Sequence, residues 1–89
     1  MKKEAVKEEI ELLYSALTKV KTFEDCEALL KDLCTTKEIE AMAQRIMAAK
    51  YLKDGKTYEQ IIELTNISST TLSRVSKCVQ HGKGYKNFI

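Results

Sequence analysis

Apolar residues recur at helical spacing near the start of this chain. Within roughly residues 4–20, the steps between them alternate four and three, at Val6, Ile10, Leu13, Leu17 and Val20. These steps place the side chains in one stripe along a helix, as in helices that pair lengthwise with another helix. We therefore predict an amino-terminal helix whose apolar stripe is buried against other helices.

Two more apolar stripes follow, and each is preceded by a threonine that is able to cap a first helical turn. Thr22 precedes the second segment, and Thr35 with Glu38 forms the capping-box pattern that opens the third. Gly55 is placed to end the third segment, which is the longest. The predicted core positions are Phe23, Cys26, Leu29, Leu30 and Leu33 in the second segment, and Ile39, Met42, Ala43, Ile46, Met47 and Ala49 in the third.

A short helix is predicted after Gly55. Thr57 and Gln60 form a second capping-box pattern. The residues that follow allow about two helical turns, so this helix is expected to end at Leu64 or Thr65.

A tight turn and a longer helix are predicted next. Asn66 tolerates a left-handed backbone better than other residues that carry a side chain, so it suits the end of the short helix. Ser68 then caps a helix that lasts to about Gln80, and Gly82 and Gly84 are expected to end regular structure. A short helix, a turn of three or four residues and a longer helix form a helix-turn-helix.

The longer helix of this pair has two contrasting faces. Leu72, Val75 and Val79 fall on one side of a helical wheel and are expected to face the shorter helix. The opposite side carries small hydroxyl groups and basic side chains, which suit entry into a DNA major groove. We predict that Thr70, Ser73 and Arg74 lie near base edges, and that Ser68, Ser69, Thr71 and Lys77 support them or contact phosphates.

Charge is distributed unevenly along the chain. Residues 1–40 contain 7 lysines and 10 acidic residues, a net charge of −3, whereas residues 41–89 contain 8 basic and 3 acidic residues, a net charge of +5. Glu63 is the last acidic residue, and the basic residues after it are Arg74, Lys77, Lys83 and Lys86. This basic end favours a polyanionic partner such as double-stranded DNA, although the same charges also suit a solvated tail.

Composition limits the class of protein. With 89 residues, 44% hydrophobic residues and no proline, the chain is expected to form one all-α domain over residues 1–89. So short a chain buries little surface by itself, which favours a homodimer. No apolar run approaches the roughly 20 residues of a membrane span, and the acidic residues near the start do not match a signal peptide. We therefore predict a cytoplasmic protein without a membrane partner.

Neither catalysis nor metal binding is predicted. The cysteines Cys26, Cys34 and Cys78 form no CxxC pair and are expected to be thiols. The CxxH spacing of Cys78 and His81 supplies two ligands at most, fewer than a structural zinc site requires. With one histidine and no paired carboxylates, a general base and its orienting group cannot be assigned, so no enzyme activity and no cofactor are expected.

The residues from Thr35 to Gly82, with the GKGY that begins at Gly82, resemble the Trp repressor superfamily and most closely its short YerC/YecD-type members. The stretch ISSTTLSRVSK, residues 67–77, is similar to the recognition helix of such repressors. The resemblance covers a little over half of the chain and implies a Trp-repressor-like, intertwined, all-helical homodimer. We divide the chain accordingly into dimerisation helices in 1–34, a long central helix in 35–55, a helix-turn-helix in 57–80 and a C-terminal tail in 81–89.

The resemblance also implies an effector pocket. Arg45 and Arg74 match two arginines that embrace tryptophan in the family, and Thr35 matches a neighbouring threonine. Val75 stands where the family has a glycine beside the indole ring, and Cys78 where it has a serine near the amino group of the ligand. Because a β-branched side chain obstructs that slot, we predict that tryptophan is not required for DNA binding. A different small-molecule effector remains a candidate partner for these five residues.

The leading hypothesis is a homodimeric, sequence-specific DNA-binding transcriptional regulator of the repressor class that binds a roughly palindromic operator. The alternative is a helical protein-interaction or assembly module that does not bind DNA and whose hydroxyl face contacts a partner protein. Salt separates the two hypotheses, because binding that neutralises phosphates weakens steeply as salt rises and an apolar protein interface does not.

Overall fold

The computed structural model describes residues 2–89, and every regular element among them is a helix. The predicted all-α class is therefore confirmed. The chain divides into two compact units, Met1–Thr35 and Thr36–Ile89. No helix within residues 2–89 is both long enough and apolar enough to cross a membrane. The helices are α1 (Lys3–Thr18), α2 (Phe23–Leu33), α3 (Thr36–Lys53), α4 (Tyr58–Thr65), α5 (Ser69–His81) and α6 (Gly84–Phe88).

The first unit consists of α1 and α2. Thr22 caps α2 as predicted, because its side chain accepts a hydrogen bond from the N–H of Asp25 at 3.0 Å. Neither helix contains a buried residue. Ile10 and Leu17 on the predicted stripe of α1 remain 43% and 40% exposed, and Phe23 of α2 is 81% exposed. The apolar positions that the sequence assigns to a core therefore lie largely open in the single chain.

The second unit contains the hydrophobic core of the chain. Ala48 and Ala49 of α3 are fully buried. Their small side chains allow other helices to approach the α3 backbone closely, so the core forms where α4 and α5 meet α3. The other core residues are Ile61 of α4, Ile67 of the following turn, and Leu72 and Val75 of α5.

The predicted core face of α3 is partly wrong. Ala49 is buried as predicted, but Ile46 is 50% exposed and Met47 is 44% exposed. Ala48 is buried although the predicted stripe omits it. Helix α3 thus buries its smallest side chains, Ala48 and Ala49, and packs Tyr51 and Leu52 against the same core, whereas Ile46 and Met47 remain largely on the surface of the unit.

The third helix ends where the sequence predicts. Lys53 is its last residue, and Gly55 adopts a φ of +88°, in the left-handed region that favours glycine. The N–H of Lys56 then donates to the carbonyl of Tyr51 at 3.0 Å, which closes the turn. The capping box at the start of this helix stays a prediction.

The predicted ends of α4 and the predicted start of α5 are confirmed. Thr57 and Gln60 form the capping box, with the N–H of Thr57 donating to Gln60 Oε1 at 2.9 Å and the N–H of Gln60 donating to Thr57 Oγ1 at 3.2 Å. Asn66 ends α4 with a φ of 60° and a ψ of 21°, the left-handed conformation. Ser68 caps α5 by accepting from the N–H of Thr71 at 3.2 Å.

The turn between α4 and α5 is fastened to α3 by a side chain. Gln44 Nε2 donates to the carbonyl oxygen of Thr65 at 2.9 Å. The hydroxyl of Thr65 donates to the carbonyl of Ile61 at 2.7 Å and accepts from the N–H of Ile67 at 3.3 Å. Because Ile67 is also 1% exposed, hydrogen bonds and burial together fix the path by which the chain enters α5.

The sixth helix, α6, contradicts the sequence prediction that Gly82 and Gly84 end regular structure. Tyr85 and Ile89 pack against the core of the second unit. Lys53 Nζ donates to the carbonyl oxygen of Ile89 at 3.0 Å. A helix of five residues does not form by itself in water, so we attribute α6 to this packing.

Candidate nucleic-acid interface and adjoining cavity

Helix α5 turns one face to the core and the opposite face to solvent. Leu72 is fully buried, Val75 is 2% exposed, and Val79 is half-buried against the same core, as the sequence predicts. The residues exposed along the helix include Ser69, Thr70, Ser73, Arg74 and Lys77. The outward face therefore holds five of the seven predicted DNA-contacting residues with their side chains accessible.

The other two predicted DNA-contacting residues, Ser68 and Thr71, hold the start of α5. Besides accepting from the Thr71 N–H, Ser68 Oγ donates to Thr71 Oγ1 at 2.9 Å. Thr71 is half-buried, whereas Ser68 is exposed. Their hydroxyl groups are engaged within the protein, which suits the supporting role predicted for them better than direct contact with bases.

The outward face of α5 is positively charged. Neither Arg74 nor Lys77 forms a salt bridge with another residue in the described part of the chain, whose ion pairs lie on α1, on α2 and at the end of α3. The first turn of α5 contains no acidic residue. The free N–H groups at this helix start and the two basic side chains therefore present an uncompensated positive surface, as phosphate contact requires.

A cavity of about 450 Å³ lies between α3 and α5. Four of the five residues predicted for an effector pocket line this cavity. Two other residues, which were not predicted to belong to the pocket, line it as well. Thr35, the fifth, belongs to the first unit, and its role stays a prediction. The lining consists of Arg45, Thr71, Arg74, Val75, Cys78 and Tyr85.

The chemistry of this cavity favours a small anion. Arg45 and Arg74 supply two guanidinium groups, and no acidic residue lines the cavity. Neither arginine has an ion-pair partner among residues 2–89. Val75 adds a branched side chain to the α5 wall, and Cys78 adds a thiol.

Tyr85 is the lining residue to which the sequence assigned no functional role. It stands on α6, in the segment predicted to lack regular structure, and is half-buried. The GKGY motif contains this tyrosine, and the apolar residues Tyr85, Phe88 and Ile89 in the tail were the available signal.

An apolar groove of about 510 Å³ lies beside the cavity, again within the second unit. Ile46 of α3 forms one side of it, and Tyr85 and Phe88 of α6 contribute to the other. Phe88 is 87% exposed, which is unusual for an aromatic side chain. The groove adds to the open apolar surface of this chain.

The remaining candidate chemistry in residues 2–89 concerns metal ligands and cysteine thiols. No group of three or more histidine, cysteine or acidic side chains is placed to hold a metal ion in residues 2–89. Cys26, Cys34 and Cys78 are free thiols, as predicted. Cys26 is exposed rather than in a core, because α2 has no buried face in the single chain.

Comparisons with known proteins find the same fold and a related sequence. Residues 8–89 match the family model described as Trp repressor protein. The YerC protein of Bacillus subtilis (strain 168), whose function is uncharacterised, is 38% identical over 74 residues, or 83% of this chain and 71% of YerC.

Two crystal structures are also similar to this chain. A TrpR-like protein from Eubacterium eligens ATCC 27750 has a TM-score of 0.81 and 34% identity, covering 89% of this chain and 82% of that one. A protein from Staphylococcus aureus, proposed to be a Trp repressor, has a TM-score of 0.81 and 33% identity, covering 97% of this chain and 88% of that one.

Proposed function

Because this chain belongs to the Trp repressor protein family, we propose that it is a sequence-specific DNA-binding transcriptional regulator, of the repressor class, that acts as a homodimer in the cytoplasm. The observation that carries the proposal is the helix-turn-helix formed by α4 and α5, whose second helix exposes hydroxyl and basic side chains and buries its apolar ones. This arrangement suits insertion of α5 into a major groove.

The distribution of hydroxyl and basic side chains along α5 supports sequence-specific rather than purely electrostatic binding to DNA. Ser69, Thr70 and Ser73 are short, exposed and able to donate or accept hydrogen bonds, so they can approach base edges without steric obstruction. Arg74 and Lys77 supply charge for guanine edges or phosphates. A purely electrostatic surface needs the charges but not the row of small hydroxyl groups.

The open apolar surface of the first unit supports a homodimer. Ile10, Leu13 and Leu17 lie on one stripe of α1 and are each at least 36% exposed. Helix pairing buries such a stripe in a second copy of the chain. Two recognition helices related by a two-fold axis then face a roughly palindromic operator.

Tryptophan is not part of the proposed mechanism. The cavity retains Arg45 and Arg74, but Val75 occupies part of its α5 wall, and extra methyl groups in a packed site typically cost about 1 to 3 kcal/mol. That cost weakens a ligand roughly tenfold to a hundredfold. The cavity remains open to a smaller anionic effector, with Arg45 and Arg74 as its contacts.

Selection of bound fragments from random DNA by the purified protein tests the proposal. We expect enrichment of one palindromic motif, and a binding constant for that motif that falls by orders of magnitude between about 50 and 200 mM salt. Failure to enrich any sequence, or affinity that does not respond to salt, would favour the protein-interaction module instead.

A further inference from the structure

Helix α6 bridges the two helices that flank the cavity. Its tyrosine, Tyr85, packs against the core and lines the cavity together with residues of α5. The residue that follows α6, Ile89, packs against the same core and receives the hydrogen bond from Lys53 of α3. One short helix is thus attached to α3 at its end and to α5 at its start.

Tyr85 lines three hollows in the second unit. It lines the cavity beside Arg74, the apolar groove beside Ile46, and a smaller cavity of about 160 Å³ beside Lys53 and Val79. Tyr85 thus lines all three of these hollows, which adjoin Cys78 and Val79 in the carboxyl half of α5. Removal of the ring would enlarge the open space beside that half of the helix and remove one of the side chains packed there.

The rest of the α5 packing lies nearer the middle of the helix. Leu72 and Val75 are buried, and Ser76 is 7% exposed, but Val79 is only half-buried. The flank toward Arg45 is open, because the cavity lies there. Contacts at the middle of a helix fix its position better than its tilt, so the tilt depends on what supports its end.

A change of tilt matters greatly for a groove-binding helix. Thirteen residues make α5 about 20 Å long, so a rotation of about 10° around its middle moves its first turn by roughly 1 to 2 Å. Hydrogen bonds to base edges tolerate only a few tenths of an ångström. Charge contacts to phosphates are far less sensitive to such a movement.

We propose that Tyr85 is a positioning residue that braces α5 at the tilt required for base readout, without a bound effector. This inference rests on the proposed function for its consequence on DNA, but the brace itself is a property of the free protein. We assign this action to packing of the ring, because Tyr85 packs against the hydrophobic core of the second unit.

Three variants of α6 test the proposal. Tyr85→Ala removes the ring, Tyr85→Phe keeps the ring and removes the hydroxyl, and Phe88→Ala removes an exposed ring from the same helix as a matched control. Circular dichroism and thermal unfolding establish that each variant folds. If Tyr85→Ala fails to fold, Tyr85→Leu takes its place, because leucine keeps apolar contact while filling less of the space.

Amide hydrogen exchange in the absence of DNA measures the brace directly. We expect exchange in the last two turns of α5 to rise at least tenfold in Tyr85→Ala, or in Tyr85→Leu if it is needed, and to change less than threefold in α4. Tyr85→Phe and Phe88→Ala should match the unaltered protein. Unchanged exchange in α5, or an equal rise throughout α3, α4 and α5, would overturn the proposal.

DNA binding then measures the consequence, with the fragments that the unaltered protein selects from a random pool as the probe. Tyr85→Ala should lose at least tenfold in affinity for selected DNA, with less than a twofold change for random DNA at the same salt, and Phe88→Ala should lose neither. Equal losses on both kinds of DNA would overturn the positioning role. If the unaltered protein selects no DNA, the proposed function fails, and the exchange measurement still decides whether Tyr85 braces α5.

Discussion

At the scale of single residues, we expect different side chains on the exposed face of α5 to contact phosphates and base edges. Lys77→Ala should weaken binding to all sequences about equally and lower the slope of log affinity against log salt by about one unit, because one phosphate contact is lost. Ser73→Ala should instead reduce the preference for the selected motif and leave affinity for random DNA unchanged. Titrations of both variants with selected and random duplexes at several salt concentrations measure these effects. Identical changes in the two variants would contradict the assignment.

Val75 lines the cavity between α3 and α5, and we expect its side chain to limit which ligands enter. We expect no binding of L-tryptophan below millimolar concentration by calorimetry, because the buried valine side chain occupies the α5 wall. The affinity for selected DNA should be the same with and without the amino acid. A micromolar dissociation constant for L-tryptophan, or a DNA complex that requires it, would contradict this prediction and show that tryptophan acts as a corepressor.

At the scale of elements, the turn between α4 and α5 depends on the left-handed backbone of Asn66. Asn66→Ala should lower the free energy of unfolding by about 1 kcal/mol, since a left-handed conformation costs most residues about 1 to 2 kcal/mol. Asn66→Gly should be nearly neutral, because glycine has no Cβ to strain. Urea unfolding of the two variants measures the difference. Equal stability of the alanine and glycine variants would show that the turn is not under this constraint.

Sequence reasoning was most accurate where a local signal determines an element. Thr57, Asn66 and Ser68 act through bonds and backbone preferences within a few residues, so their roles were predictable from the chain alone. The burial of Ala48 in place of Ile46 was not predictable, because it depends on which face of α3 the later helices approach. The brace residue Tyr85 was missed for the same reason, since α6 forms only where it can pack on other helices.

At the scale of the whole molecule, the open stripe of α1 predicts an obligate homodimer. Sedimentation at micromolar concentration should find no folded monomer. Leu13→Asp should unfold the protein, because a charge buried in the dimer costs several kcal/mol and the total stability of a domain is marginal. Ser15→Asp, on the opposite side of α1, should have little effect. A folded monomeric Leu13→Asp protein would show that the stripe only joins the subunits.

The proposed homodimer also predicts the spacing of the operator. Two α5 helices that enter successive major grooves on one side of the duplex require half-site centres about 34 Å apart, or about 10 base pairs. Selected DNA should contain two inverted half-sites at this spacing. Insertion of five base pairs between them should abolish binding, because it places the second half-site on the opposite side of the duplex.

The two faces of α5 have an evolutionary consequence. Ser69, Thr70 and Ser73 contribute nothing to the buried core, and surface substitutions of this kind usually change stability by less than about 0.5 kcal/mol. Mutations at these three positions can therefore accumulate without loss of the fold, and under the proposed function we expect each one to alter the bases that the helix contacts. A duplicated gene for this chain could diverge toward a new set of target promoters by changing three side chains and leaving its scaffold intact.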